Sequence, residues 1–201
     1  GVVHIHNSLG QQALVAQFDQ ALAELRGARA LVLDLRDTPS GGNSSVARGI
    51  MGRLVDQTRP YQRHEMVSEF RGTGIRRVWV EEVTPRGSSF LQPVVVLVGR
   101  WTGSMGEGIA IGLNAARGAP VLGEAMAHLR GALGETTLPH SKIVVRIPTE
   151  KLFHVDGTPR EAFVPRALPR SGAGTPDGEL DAAIGLATQL GARQSGPRTS
   201  R

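Results

Sequence analysis

Pro93-Val94-Val95-Val96-Leu97-Val98-Gly99-Arg100-Trp101-Thr102-Gly103-Ser104-Met105-Gly106-Glu107 is the stretch on which the reading of this chain turns. Val94–Val98 is an unbroken apolar run, nearly all β-branched and too short for a buried helix. It predicts a strand covered on both faces. A glycine-punctuated turn then delivers Ser104 to the start of an apolar helix over 107–116, which Arg117-Gly118 ends. An earlier stretch repeats the design. Ala30-Leu31-Val32-Leu33-Asp34-Leu35 reads as a second buried strand and runs into Arg36-Asp37-Thr38-Pro39-Ser40-Gly41-Gly42.

Outward from these two runs, residues 1–6 read as a strand, and Leu14, Val15, Phe18, Leu22 and Leu25 mark a helical stripe over 11–25. Asn43 or Ser44 is placed to cap a helix through about Val55. Segments 61–67, 76–83, 120–122 and 143–147 read as strands, and 180–190 as a closing helix. Alternation of strands with helices of about ten residues predicts an α/β fold of right-handed βαβ units with a mostly parallel sheet. Residues 1–192 are expected to form one core. The polar, glycine- and proline-containing end, 193–201, is expected to be a disordered tail.

The chain has 201 residues, 40% of them apolar, enough for one sizeable core. Net charge is +5, and of 23 basic residues only Lys142 and Lys151 are lysines. The arginines are scattered and aromatic residues make up 4%, too few for base-stacking platforms, so no nucleic-acid partner is expected. There is no cysteine, which excludes disulfides, thiolate metal sites and a cysteine nucleophile. No apolar run reaches the ~18 residues of a membrane span. Gly1-Val2-Val3-His4-Ile5-His6 opens inside an apparent strand without a leader, so the chain reads as a mature or truncated piece of a longer protein.

Each chemical motif has two readings. Ser104 and Glu107 form S-x-x-E, a capping box. The same hydroxyl sits in the positive field of a helix start, where a nucleophile would find free N–H groups. Gly41-Gly42 is a turn after Pro39 or one half of an oxyanion hole, at the strand end where α/β sheets bind ligands. None of the six histidines falls in a metal-ligand spacing. His4 and His6 alternate on a strand without nearby partners, and no metal or cofactor is expected. His64, beside Glu65, is the histidine most open to service as a base. Glu161 is a loop carboxylate next to Arg160.

Taken in order, these residues resemble a known clan of serine peptidases. Leu33-Asp34-Leu35-Arg36-Asp37 with Gly41-Gly42 resembles the "DLR-N-x-GG" segment of the C-terminal processing (tail-specific) proteases. Gly103-Ser104-Met105-Gly106-Glu107-Gly108-Ile109-Ala110 is similar to their "S-A-S-E-I" nucleophile region, and Gly123-Glu124 to the "GE" that follows. The resemblance covers roughly residues 1–190 and implies a Clp-protease/crotonase-like core with Ser104 as nucleophile. The Met105 N–H and one of Gly41 or Gly42 would then hold the oxyanion. Those enzymes place a lysine a few residues after "GE". Here Leu129 or Arg130 stands there, and arginine does not deprotonate usefully.

A second branch of the clan, the tricorn-core and retinoid-binding-repeat branch, pairs serine with histidine and a downstream glutamate. Asp156-Gly157-Thr158-Pro159-Arg160-Glu161 resembles that glutamate's "D-G-x-x-x-E" segment, which implies Glu161 as the acid. The branch's histidine lies upstream of the first strand, so an upstream segment of the same precursor is expected to supply the base. The reading is thus a serine endopeptidase core acting on a peptide or protein substrate by acyl-enzyme chemistry. A catalytically incomplete peptide- or apolar-ligand-binding module is the alternative, and a crotonase-like acyl-CoA enzyme the third reading. For bacterial members the resemblance suggests a periplasmic or other exported location, with a cytoplasmic one left open by the sequence.

Overall fold

A computed structural model describes residues 1–6, 9–39, 42–168 and 177–194. Fourteen elements follow one another along it. They are β1 (Val2–His4), α1 (Ala13–Glu24), β2 (Leu31–Asp34), α2 (Ser44–Met51), β3 (Arg59–Met66), α3 (Val67–Thr73), β4 (Arg77–Val83) and β5 (Val94–Val98). Then come α4 (Met105–Arg117), β6 (Val121–Gly123), β7 (Ala132–Thr137), β8 (Val144–Phe153), a 3-10 turn (Arg160–Ala162) and α5 (Gly178–Gln194). The last helix runs through Gln194, and 195–201 of the expected tail lie outside the described residues. No helix among the described residues is long and apolar enough to cross a membrane.

The two apolar runs form the centre of an all-parallel sheet in the order β1-β2-β5-β6. Every residue of β2 and β5 is buried. Alternation divides them between two layers, because successive side chains point to opposite faces. Leu31, Leu33, Val94, Val96 and Val98 pack with Ile50 and Met51 of α2 and Ile109 and Leu113 of α4. Val32, Val95 and Leu97 face Ala183 and Ala187 of α5. Each such aliphatic side chain contributes about 1.5–3 kcal/mol of burial, so the sheet cannot slip by one residue without exchanging both layers.

A second sheet departs from the expected mostly parallel architecture. β4-β3-β8-β7 is antiparallel throughout. β7 and α3 were not foreseen, and β8 extends well past the expected 143–147. The reason is solvent. β7 alternates between half-buried and exposed positions before ending fully exposed, so Gly134-Glu135-Thr136-Thr137 carries no apolar signature.

α4 joins the two sheets. Its face toward β3 lacks bulk at Gly108 and Gly112. A Cβ at Gly112 would stand 3.1 Å from the Tyr61 ring and 2.9 Å from Met51 Sδ, and one at Gly108 would stand 3.3 Å from Gln62 Oε1. These glycines let β3 close onto the helix that Ser104 begins.

Candidate active site

Ser104 is the N-cap of α4 and holds φ 51°, ψ −115°, a conformation that few residues with a Cβ adopt. Such a backbone costs about 1–3 kcal/mol and persists only where its surroundings fix it. Those surroundings are explicit. The Gly103 N–H donates to Thr38 O at 2.9 Å. The fully buried Thr102 donates its hydroxyl to Leu35 O at 2.9 Å and accepts from the Gly99 N–H at 3.0 Å. The turn after β5 is thereby sewn to the turn after β2.

Beneath it, the capping box of Ser104 and Glu107 forms. The Ser104 N–H donates to Glu107 Oε2 at 2.9 Å. The other carboxylate oxygen accepts from the Leu129 N–H at 3.2 Å. Glu107 is fully buried, and burial raises its carboxyl above the ordinary carboxylate range against the pull of Arg160. Arg160 is itself 2% exposed, sits 3.7 Å from Glu107 and donates to Leu129 O at 2.8 Å. Burial lowers its guanidinium from the usual value. This ion pair fixes both the Ser104 turn and the segment in which the clan's lysine would lie.

Gly42 meets the start of α4 directly. A Cβ there would overlap the Met105 side chain, 2.0 Å from its Cβ. The Met105 N–H belongs to the first helical turn, whose N–H groups have no intrahelical acceptor. Gly42, Ser104 and Met105 all line one groove of about 830 Å³. Gly41 lies outside the described residues.

The facing wall is the second sheet. His64 lines the same groove, 7% exposed and stacked on Trp79 with ring centroids 4.8 Å apart. Its Nδ1 is 3.1 Å from Glu150 Oε2, and its Nε2 is 3.0 Å from the Gln62 side-chain nitrogen and 3.5 Å from Glu81 Oε2. Tyr61 donates its hydroxyl to Glu81. Burial works to lower the imidazole, but hydrogen bonds to Glu81 and Glu150 outweigh it and raise His64 above its ordinary value. Glu81 is held down to about 2, by His64 first and, against burial, by Tyr61 as well. The Gln62 amide nitrogen can donate to Nε2 only when the ring is neutral with its proton on Nδ1. Protonation requires that amide to turn, which would give its buried, unpartnered Oε1 an N–H to accept.

Glu161 follows Arg160 in the 3-10 turn but is not among the groove's lining, whereas Arg160 is. Its backbone carbonyl contacts the His128 ring. Leu129 and Arg130, one of which stands where the resemblance would put a lysine, both line the groove, and Lys151 lies on β8. Sequence reasoning did not single out Gln62, Glu81, Glu150 or Arg160 as site residues. They are scattered over 62–160 with no spacing rule, and only strand pairing assembles them.

The sequence model described as "Peptidase family S41" matches residues 1–163. No curated protein matches the chain in sequence. Among solved structures, the chain is similar to a candidate peptidase from Parabacteroides merdae ATCC 43184, with TM-score 0.78 and 20% identity over 93% of this chain and 60% of that one. It is also similar to a photosystem II D1 C-terminal processing protease, with TM-score 0.67 and 18% identity over 93% of this chain and 46% of that one. The tricorn protease aligns with TM-score 0.60 and 16% identity, over 94% of this chain and 18% of that one. At these identities the likeness is one of fold. The chain spans from under a fifth to 60% of the length of these three structures.

Proposed function

The chain belongs to peptidase family S41, and from that membership we propose that it is the catalytic core of a serine endopeptidase working through an acyl-enzyme. Ser104 Oγ attacks the scissile carbonyl carbon. The N–H groups of Met105 and Gly42 receive the oxyanion. The hydroxyl proton passes to His64 Nε2 and then to the departing amine. A water repeats the sequence in reverse and releases the acyl group. Glu150 positions the imidazole through Nδ1. Gln62, whose amide nitrogen lies 3.0 Å from Nε2, yields that ring nitrogen to the serine.

The observation that carries this reading is the shared groove. A strained serine at a helix start, a close-packed glycine and a histidine flanked by carboxylates line one cavity. In this reading His64 is the base, the alternative to one supplied by an upstream segment. Glu161, outside the lining, is left a supporting role beside Arg160.

A fluorophosphonate probe tests the proposal on the 201-residue chain. Labelling is expected at Ser104, abolished by Ser104→Ala and reduced at least a hundredfold by His64→Ala. Labelling that survives Ser104→Ala would remove the nucleophile. Labelling that survives His64→Ala would return the base to another segment.

A further inference from the structure

We propose that His4, His6 and Asp37 form a binding site for a divalent transition-metal ion of the zinc class, on the outer flank of the turn that leads to Gly42. His4 ends β1 and His6 lies two residues beyond it, both exposed on either side of the buried Ile5. Read along the sequence they lack a partner. The fold supplies one from the turn after β2. Asp37 Oδ2 is 3.0 Å from His4 Nε2 and 3.8 Å from His6 Nδ1. One donor atom from each of the three residues lies within 4.8 Å of the others, the only such group among the described residues. A tetrahedral ion bound at about 2.0–2.2 Å to nitrogen and oxygen needs its donors roughly 3.3–3.5 Å apart, and the two measured separations straddle that spacing.

The backbone on both sides is fixed, so the three groups are held together before any ion arrives. Ile5, between the two histidines, donates its N–H to Asp34 O at 3.0 Å, and its carbonyl accepts the Thr38 hydroxyl at 3.0 Å. The imidazole centroids are 3.9 Å apart and the rings are tilted by 39°, so they part to about 5 Å when both bind one tetrahedral ion. Two imidazoles and one carboxylate suit zinc, cobalt, nickel or copper, and not the all-oxygen shells of magnesium or calcium. The side chains of His4, His6 and Asp37 are 31%, 66% and 56% exposed, so the remaining coordination positions open to water. The ion therefore exchanges with solvent.

The consequence is mechanical. The ion would staple the end of β1 to Asp37, and the next residue, Thr38, accepts the Gly103 N–H that fixes the Ser104 turn. Occupancy stiffens that turn from outside the groove without entering the chemistry.

Titration of the chain with zinc by calorimetry, and with cobalt by visible absorption, tests the site. One ion per chain is expected. Trp101, which lines the same depression as His6 and Asp37, should lose fluorescence as cobalt binds. His6→Ala and Asp37→Asn should each weaken binding at least tenfold, whereas His140→Ala should leave it unchanged. Circular dichroism of each variant separates lost binding from lost folding. An absence of saturable binding at millimolar zinc, or binding that survives the His4→Ala/His6→Ala double variant, overturns the proposal. Neither result bears on Ser104 labelling.

Discussion

Gly42 and Met105 approach so closely that a single added methyl at Gly42 would lie 2.0 Å from the Met105 Cβ. The contact brings Gly42 against the first residue of α4, and both line the groove. Gly42→Ala must push the two apart. Loss of one oxyanion donor costs about 10²–10³-fold in kcat, so Gly42→Ala should slow acylation by a reactive ester probe by that order. A thermal melt run in parallel shows whether the variant folds. Unchanged acylation in a folded Gly42→Ala would exclude this turn from the oxyanion site.

The Glu107–Arg160 pair should be far more sensitive to single than to paired replacement. Removing one member leaves a buried charge alone, at about 3–5 kcal/mol, while well-packed apolar replacement of both is often neutral. Urea unfolding of Glu107→Leu, Arg160→Met and the double variant measures this. Additive losses in the double variant would mean that the two groups are not coupled.

Activity and stability should respond to pH in opposite senses at the second sheet. His64 lies above its ordinary value of 6.5, so its contribution to stability is complete below that pH and fades as pH climbs through the raised value. Glu81, at about 2 against an ordinary 4.5, contributes above the ordinary value, and that contribution fades as pH falls toward 2. The base must be neutral, so acylation should rise with pH across the raised His64 titration. Glu81→Gln removes a carboxylate that holds the ring charged and should move the acid limb of the pH–rate profile downward. A limb that stays in place would sever His64 from the chemistry.

Gly112→Ala probes the closure of α4 on β3. Its methyl would press on the Tyr61 ring and Met51 Sδ. Overpacking of this kind costs about 1–3 kcal/mol, and calorimetric melting should show it. A more stable variant would indicate that β3 has room to withdraw.

The parallel half of the fold was legible because its strands are buried on both faces. β2 and β5 can then be nothing but apolar, and a short apolar run between glycine-rich turns has few other readings. Ser104 was legible for a related reason, since a strand-to-helix turn leaves a local signature in its glycines and in the Glu107 cap. Of the antiparallel sheet, β3, β4 and the start of β8 were legible as strands, but β7 and the pairing were not. Its groove face carries Gln62, His64, Glu81 and Glu150, and most of β7 and β8 is exposed, so no apolar pattern repeats along it.

Sequence alone thus determined where along the chain the hydroxyl, Gly41-Gly42 and the buried strands fall, because each leaves a signature in its neighbouring residues. Tertiary structure alone decided which groups face Ser104 and which face away. Arg160 enters the groove wall and its neighbour Glu161 does not. His64 meets Glu150, 86 positions along the chain, and His4 meets Asp37. These pairings depend on sheet register and on how closely a glycine lets two segments pack, and both arise only when the chain closes on itself.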